Sequence, residues 1–319
     1  MNKVLVLGGT YFVGRKIVEI LLSKKYEVTV LNRGTRPLPY EEVHCLKCER
    51  NDKLQMKEVL RNLVFDYIID VSWQDMSWVQ NTCDAIDTSH LKQFVFISSS
   101  SVYDVEHLNI PFKEEDPLGE NKYWTFYGKG KMDAEKYYQE FFQNKEANLI
   151  ILRPPYIYGE YNYAQRESLL FRQISEDQPV VIPSSNPKLQ FLYTEDLALQ
   201  IDYLLQNNTK KTLILNNGNR KAVSSSEWVE ACAKVVGKEA KIITCDYEKL
   251  GKNVRDFYPF FDYDNVLDVE KINEIYALET PFEEGLRHAY EWFKANREQI
   301  VFKRNVDQTL YEMIASLSI

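Results

Sequence analysis

Long hydrophobic runs are missing from the sequence. No apolar stretch approaches the roughly 20 residues that a helix needs to cross a membrane. The first residues, MNKVLVLGGT, do not join an apolar segment to a small-residue cleavage site. The chain has 319 residues, of which 45% are hydrophobic, and is long enough to bury a substantial core. We therefore expect a globular protein without membrane contact, located in the cytoplasm.

Basic clusters are also missing. The 39 Lys and Arg residues are outnumbered by 47 Asp and Glu residues, which gives a net charge of -8. No run of Lys or Arg is present that could neutralise several successive phosphates of a nucleic acid. We therefore expect no nucleic-acid partner.

Cysteine is scarce, with five residues scattered along the chain. An odd and dispersed set suits a reducing compartment better than a disulfide framework. Cys45 and Cys48 form a CxxC beside His44, but no further ligands follow at the spacing that a zinc site requires. We expect a short strand at this place and no metal site.

Short apolar runs do alternate with helix-length segments. The runs are KVLVL (3–7), EVTVL (27–31), FDYIIDV (65–71), QFVFIS (93–98) and NLIIL (148–152). Such alternation is typical of βαβ units, whose crossovers are right-handed and whose parallel sheet is covered on both faces. It predicts an α/β fold built on a Rossmann-type doubly wound parallel sheet.

The rhythm changes in the second half, where the short runs PVVIP, LQFLY and TLILN follow less regularly. We expect a dinucleotide-binding domain over 1–158 and a smaller, mainly substrate-binding lobe over 159–319. Elements near 188–216 are predicted to return to the first domain, so the boundary is approximate. Late helices are predicted at about 281–296 and 305–317.

A glycine-rich turn, LGGTYFVGR, follows the first predicted strand at residues 7–15. Such a turn can direct backbone N–H groups and a helix N-terminus at a pyrophosphate. Gly8 and Gly9 would make the tight turn, and Gly14 would let the helix pack against the strand. Tyr11 stands where the middle glycine of the usual motif is expected, so a purely structural turn is the alternative interpretation.

The second predicted strand ends in Asn32 and Arg33, with Arg36 close behind. This is the position from which an acidic residue would accept hydrogen bonds from the ribose 2′-OH of NAD. A neutral amide followed by guanidinium groups favours a 2′-phosphate instead. The sequence thus predicts NADP in preference to NAD, and a solvated basic turn is the alternative.

A strand ending in serines, FVFISSSSVYD (94–104), is followed about thirty residues later by YGKGK. Tyr127 and Lys131 are spaced i and i+4, on one face of a predicted helix. A nearby ammonium favours the phenolate, so Tyr127 could exchange a proton with a substrate hydroxyl while Ser99 hydrogen-bonds the same oxygen. Lys131 would also hold the nicotinamide ribose. A second Tyr-x-x-x-Lys at Tyr290 and Lys294 has no serine strand before it, which indicates a plain helix face.

In combination these segments resemble the extended branch of the short-chain dehydrogenase/reductase superfamily, the NAD-dependent epimerase/dehydratase family. LRPPYIYG and QFLYTEDLA are similar to the segments that border its substrate pocket. The resemblance implies Ser99, Tyr127 and Lys131 as catalytic residues, with Ser100 as the rival of Ser99. It also implies a homodimer formed through the helix that carries Tyr127. The cofactor-binding set that it implies is Gly8, Gly9, Thr10, Tyr11, Phe12, Gly14, Asn32, Arg33, Arg36, Glu49 (near the adenine), Arg50, Lys131 and Pro154.

Some positions depart from the pattern of the family. Tyr11 and the form GGTxFxG resemble an atypical subgroup that includes chloroplast stem-loop-binding proteins. Ser100 and Ser101 occupy the places of the Asp-Glu pair of sugar-nucleotide dehydratases, so dehydration is disfavoured. Gln190 replaces an arginine that contacts the diphosphate in many epimerases, and Lys188 or Arg172 are candidates to substitute for it.

The function predicted from these features is NAD(P)-dependent oxidation or reduction of a secondary alcohol on a sugar or nucleotide sugar, by an epimerase or a net reductase. The alternative is a non-catalytic protein on the same fold that senses NAD(P) or associates with RNA. An aromatic loop could supply a stacking wall for a sugar or base, although core packing is the commoner use of such residues. Its members are Tyr156, Tyr158, Tyr161 and Tyr163.

Overall fold

The computed structural model describes residues 1–72, 75–162 and 164–316. Its strands are β1 (Lys3–Leu7), β2 (Glu27–Asn32), β3 (His44–Lys47), β4 (Tyr67–Asp70), β5 (Gln93–Ile97), β6 (Asn148–Arg153), β7 (Tyr156–Tyr158), β8 (Val180–Pro183), β9 (Lys188–Leu189), β10 (Phe191–Tyr193), β11 (Thr212–Asn216), β12 (Val223–Ser224) and β13 (Ile242–Cys245). Its α-helices are α1 (Phe12–Ser23), α2 (Lys53–Val59), α3 (Met76–Ala85), α4 (Thr125–Phe142), α5 (Glu167–Ser175), α6 (Thr194–Asn207), α7 (Ser225–Val236), α8 (Glu270–Ile275), α9 (Phe282–Asn296) and α10 (Arg304–Ser316). Short 3-10 turns lie at Ser100–Val102, Val254–Asp256 and Arg297–Gln299.

Seven strands form one parallel sheet in the order β11-β6-β5-β4-β1-β2-β3. The alternation of side chains along β1 shows that both faces are covered. Val4 and Val6 pack into one core with α1 and α6, whereas Leu5 and Leu7 pack into another with α2, α3 and α4. The predicted doubly wound parallel sheet is confirmed, and the strand predicted around the CxxC is β3.

The strand order changes direction between β1 and β4. The chain leaves β1 for β2 on one side of it and later returns to place β4 on the other side. In open parallel sheets, ligands bind in the crevice that such a reversal opens beyond the carboxyl ends of the strands. Gly8, Ser72 and Ser98 follow β1, β4 and β5 at this edge.

The second half of the chain contributes both to the central sheet and to a second hydrophobic core. β11 pairs with β6 and extends the central sheet. Other elements form two-stranded sheets around a separate aromatic core, in which Phe191 stacks on Trp228 with ring centroids 3.7 Å apart. The exact division at residue 158 stays a prediction. In the described part of the chain, no helix is long and apolar enough to cross a membrane.

The segment LQFLY differs from the prediction of one strand. It forms β9 and β10, which are separated by Gln190. The Gln190 side chain donates to the carbonyl oxygens of Asn219 and Leu267 and accepts from the N–H of Leu267, so its amide group bonds to backbone on both sides. These bonds account for the interruption between β9 and β10. The backbone N–H of Gln190 donates to the Asn265 carbonyl, so the two segments do not form one continuous strand.

Candidate active site

A cavity of about 550 Å³ lies at the carboxyl edge of the central sheet. It brings the glycine turn, the serine turn after β5 and the start of α4 together on one side of the molecule. Its lining consists of Gly8, Tyr11, Phe12, Val13, Arg33, Val71, Ser72, Ile97, Ser98, Ser99, Ser100, Trp124, Tyr127, Lys131, Pro154, Pro155, Tyr156, Ile157, Ala164 and Arg166. The cavity therefore includes the three predicted catalytic residues and part of the predicted cofactor set.

The glycines of the turn are required by close packing. Gly8 has φ +94°, and a Cβ added to it would lie 2.5 Å from the Ser72 hydroxyl oxygen. A Cβ on Gly14 would lie 2.3 Å from the carbonyl oxygen of Gly8, and one on Gly9 would lie 2.9 Å from Val18 and Val30. The helix α1 thus approaches β1 closely enough that only glycine is accommodated at these positions.

Tyr11 is compatible with the turn because its backbone needs no glycine. Its φ of -149° and ψ of 145° are ordinary extended values at the N-cap of α1. The guanidinium of Arg36 stacks on the Tyr11 ring, with 3.7 Å between Arg36 Cζ and the ring centroid. The side chain at position 11 therefore provides a platform that orients Arg36 beside the cavity.

Replacing Gly14 with alanine is expected to lower the free energy of unfolding by about 1–3 kcal/mol, the usual cost of forcing an extra carbon into a packed site. Dinucleotide binding should weaken as well, because the added methyl group would displace the carbonyl of Gly8. Urea denaturation and a binding titration measure the two effects. Tyr11→Ala serves as the control for stability in the same turn, and an equal loss of unfolding free energy in both variants would contradict the packing argument.

The predicted ribose-binding residues lie at the end of β2. Arg33 lines the cavity. The Asn32 side-chain oxygen accepts a hydrogen bond from the N–H of Gly34, so Asn32 stabilises the following turn. Arg33 and Arg36 thus present two guanidinium groups at this end, one lining the cavity and the other stacked on a lining residue.

Arg50 is placed differently from the prediction of a cofactor contact. It is 3% exposed and makes two hydrogen bonds of 2.8 Å with the Asp70 carboxylate. It also donates to the Ser72 carbonyl and the Thr82 hydroxyl, and Asp70 accepts from the Tyr138 hydroxyl. These buried contacts stabilise the turn that follows β4, and Arg50 does not line the cavity. We therefore do not expect Arg50 to contact the cofactor.

The remaining predicted cofactor residues are distributed unevenly. Phe12 and Pro154 line the cavity. Thr10 is half-buried within the turn and does not line the cavity. Glu49 is exposed just beyond β3, where its N–H donates to the Gln55 side chain.

The serine turn separates its four hydroxyl groups. Ser98 donates to buried Glu135, and the Ser101 hydroxyl is buried without a partner among the described residues. Ser99 and Ser100 both line the cavity, but Ser100 is only 2% exposed whereas Ser99 is half-buried. Ser99 is thus the serine whose side chain is more accessible from the cavity.

Tyr127 and Lys131 lie one turn apart at the start of α4. Lys131 is buried and donates from Nζ to the Ile97 carbonyl at 2.7 Å, while Nζ lies 5.8 Å from the centroid of the Tyr127 ring. Gly128 explains how the helix reaches the serine turn, because a Cβ there would lie 2.5 Å from the Ser101 carbonyl oxygen. Gly128 therefore permits the close approach of α4 that brings Tyr127 and Ser99 to one cavity.

Burial lowers the pKa of Lys131 to about 8, while the carboxylates of Asp70 and Glu135 oppose this shift. Each carboxylate also has its own arginine. Glu135 makes a bidentate ion pair with buried Arg153, in the same way that Asp70 pairs with Arg50. These two buried ion pairs stabilise the structure around Lys131.

The other aromatic residues of the predicted wall divide between different places. Tyr156 lines the cavity, whereas Tyr158 is fully buried in the second core and Tyr161 stacks under Arg15. Tyr163 lies outside the described residues. Sequence reasoning did not assign Trp124, which packs 5.9 Å from Tyr127 between ring centroids, and its position three residues before Tyr127 was the available signal.

The second Tyr-x-x-x-Lys pair is a surface helix face on α9, as predicted. Lys294 pairs with Glu291 on the same helix at 2.8 Å. In the part of the chain that the structure describes, no group of three His, Cys, Asp or Glu side chains converges to hold a metal ion.

A parallel sheet with a reversal at β1, a glycine turn at that reversal and a cavity above it defines the dinucleotide-binding class of α/β proteins. Residues 4–218 match the model of the NAD dependent epimerase/dehydratase family. The chain belongs to this family, and the predictions of the family and of an NAD-dependent enzyme of the short-chain dehydrogenase/reductase type are confirmed.

The individual proteins that resemble this chain share less than 30% sequence identity with it. The chloroplast stem-loop binding protein of 41 kDa b of Arabidopsis thaliana is 28% identical over 99% of this chain and 84% of its own length. The structure of MoeE5 in complex with UDP-glucuronic acid and NAD has a TM-score of 0.75 at 21% identity, covering 92% of this chain and 99% of that chain. UDP-glucose 4-epimerase of Thermotoga maritima, with UDP-glucose, has a TM-score of 0.75 at 16% identity and the same coverage. These structures show the fold.

Proposed function

We propose that the chain catalyses oxidation or reduction of a secondary alcohol on a sugar or nucleotide sugar, with Ser99, Tyr127 and Lys131 as its catalytic residues. The observation that carries this proposal is that all three line one cavity with the glycine turn. Proton exchange requires an acid-base group within hydrogen-bonding reach of the substrate hydroxyl, and residues far apart in the sequence share one cavity here.

The residues present fit a dinucleotide. Gly8, Tyr11 and Phe12 line the cavity where α1 begins, so that the backbone N–H groups of the turn and of the helix N-terminus are available for a pyrophosphate. Gly8, Gly9 and Tyr11 would hold the pyrophosphate, Arg33 and Arg36 the adenosine ribose, and Lys131 the nicotinamide ribose. When bound, NAD(P) would supply hydride acceptance and donation.

Tyr127 would exchange the proton of the substrate hydroxyl. An ammonium group one helical turn away favours the phenolate, and a positively charged Lys131 provides it. Ser99 would hydrogen-bond the same substrate oxygen and orient it towards the Tyr127 hydroxyl. Because Lys131 is buried and bonded to the Ile97 carbonyl, its position relative to the strand is fixed before a ligand arrives.

We also propose a preference for NADP. A 2′-phosphate would meet the guanidinium groups of Arg33 and Arg36, and the acid that would repel it is replaced by Asn32. Arg33→Ala is expected to lower the ratio of NADPH to NADH affinity by about tenfold, the effect of losing one hydrogen bond to a charged group. Fluorescence titration of both cofactors measures the ratio. An unchanged ratio would refute the role of Arg33.

Cofactor retention distinguishes an epimerase from a net reductase. An epimerase regenerates its dinucleotide in every turnover and should retain it, whereas a reductase must exchange it. Denaturing the purified protein and identifying released dinucleotide by mass separates the two, since tightly held NAD+ favours epimerisation. The NADP preference leans towards a reductase. The serines at positions 100 and 101 supply no acid-base pair for dehydration.

A non-catalytic role in RNA association is the alternative, favoured by the likeness to the chloroplast stem-loop binding protein. The net charge of -8 argues against it. Salt-dependent binding of a stem-loop RNA, together with failure to bind either dinucleotide, would favour this alternative. The cytoplasmic location and a homodimer through α4, whose Phe126 is 70% exposed, stay predictions.

A further inference from the structure

Glu19, a half-buried residue of α1, contacts two segments of the chain that are far apart in the sequence. The first lies between β2 and β3 over residues 33–43, and we call it the cofactor-side segment because it carries both arginines proposed to hold the adenosine ribose. The second follows β7 over residues 159–162, and we call it the substrate-side loop. Ile157 before this loop and Ala164 after it line the cavity.

Glu19 forms a hydrogen bond with one tyrosine from each segment. The Tyr40 hydroxyl of the cofactor-side segment donates to Glu19 Oε1, and the Tyr161 hydroxyl of the substrate-side loop donates to the same oxygen at 3.0 Å. Arg15, one helical turn earlier, donates from Nε to this oxygen at 3.4 Å. Its Cζ lies 3.9 Å from the centroid of the Tyr161 ring and 6.0 Å from that of Tyr40. One carboxylate oxygen therefore joins the two segments.

The charge state of this group strengthens both hydrogen bonds. Burial opposes ionisation of Glu19, but the hydrogen bonds from the two tyrosines and the charge of Lys16, 3.4 Å away, lower the pKa of Glu19 below its ordinary value. Burial and the bond to Glu19 raise the pKa of Tyr40 to about 12, so its hydroxyl stays a donor. Hydrogen bonds to an ionised acceptor are stronger than those between neutral groups.

The substrate-side loop depends on side-chain contacts for its position. Tyr161 has φ +65°, in the left-handed region that tyrosine rarely adopts, so the surrounding contacts must hold its backbone there. At the base of the loop, the Gly159 N–H donates to the Glu167 carboxylate at 3.0 Å. Lys16 donates to Glu160 at 3.1 Å and so attaches the loop to α1. The bond from Tyr161 to α1 extends this attachment to the cofactor-side segment.

We propose that Glu19 is a positioning residue that couples dinucleotide binding to the order of the substrate-side loop. The proposal rests on the proposed function, since it takes Arg33 and Arg36 as the groups that hold the adenosine ribose. A dinucleotide bound to these arginines would restrict the cofactor-side segment and with it Tyr40. Tyr40 would then hold the Glu19 carboxylate in place for Tyr161. Such coupling is reciprocal, so an ordered loop would also raise the affinity for the dinucleotide.

The test is amide hydrogen exchange of residues 159–162, followed by mass spectrometry with and without saturating NADP+. These residues are not among the described residues that line the cavity, so slower exchange would report coupling rather than direct contact. We expect NADP+ to slow exchange there by about fivefold or more in the wild type, the lower end of usual coupling between two sites. Glu19→Ala should remove most of this difference, and Glu19→Gln should keep part of it because the amide oxygen still accepts hydrogen bonds. Tyr161→Phe should also reduce the difference, and it keeps the test informative if Glu19→Ala does not fold.

Tyr26→Phe is the matched control, because the Tyr26 hydroxyl also donates to a carboxylate, that of Asp202, at 2.8 Å. It should leave the NADP+-dependent difference unchanged. NADP+ affinity is measured separately, so that every variant is compared at saturation. A saturated wild type without slower exchange, or an undiminished difference in both Glu19→Ala and Tyr161→Phe, would overturn the coupling and leave the proposed function standing. Absence of NADP+ binding to the wild type would instead overturn the proposed function, and the coupling with it.

Discussion

Replacing Tyr127 with phenylalanine is expected to lower turnover by about 10²- to 10⁴-fold, the contribution of a positioned acid-base group. The change removes the hydroxyl that would exchange the substrate proton and keeps the ring that packs on Trp124. Dinucleotide affinity should therefore change little. NADPH oxidation and interconversion of nucleotide sugars, followed with a panel of substrates, provide the measurement.

Lys131→Met should have a comparable effect on turnover and should also weaken dinucleotide binding, because Lys131 is proposed to serve both. Tyr290→Phe is the matched control: the same change in the second Tyr-x-x-x-Lys pair, on a helix face where Lys294 pairs with Glu291. Full activity in both Tyr127→Phe and Lys131→Met would exclude the catalytic roles assigned here.

Arg50→Met is expected to lower the free energy of unfolding by about 3–5 kcal/mol, the range for removing one partner of a buried ion pair. Asp70 would keep a buried charge without its guanidinium, and the Ser72 and Thr82 oxygens would lose a donor. Adding Asp70→Asn should recover part of the loss, since it removes the charge and keeps an acceptor for the Tyr138 hydroxyl. Urea denaturation measures all three proteins.

The control for this prediction is Lys129→Met, which removes an exposed pair with Asp133 on α4 and should change stability little. A stable Arg50→Met protein with a selective loss of dinucleotide affinity would instead support the sequence-based assignment of Arg50 to the cofactor set.

Much of the fold was predictable because its signals are local. The apolar runs that became β1, β2, β4, β5 and β6 are continuous, as strands buried on both faces require. The serine turn and the Tyr127–Lys131 spacing could be placed relative to that sheet, since the carboxyl ends of parallel strands meet at one edge. The cavity joins them as the order of the segments indicated.

The features that the sequence did not predict depend on tertiary contacts between residues far apart in the chain. Arg50 follows β3 next to Glu49, and only the fold shows that Asp70 faces it from β4. The Gln190 amide bonds to the backbone of Asn219 and Leu267, which lie far from it in the sequence.

The backbone conformation of Tyr11 explains why the glycine turn can contain a tyrosine at this position. The missing middle glycine is tolerated because position 11 is extended, while the glycines that cannot be replaced are those at 8, 9 and 14. Its ring supports Arg36, which connects the unusual residue of the turn to the proposed NADP preference.

Equilibrium titration of the purified protein with NADP+ and NAD+ is the most direct test of the account. We predict saturable binding of a single dinucleotide per chain, tighter for NADP+ and weakened for both cofactors by Gly14→Ala. Absence of saturable binding of either dinucleotide to the folded wild-type protein would contradict the assignment of the glycine turn and, with it, of the active site.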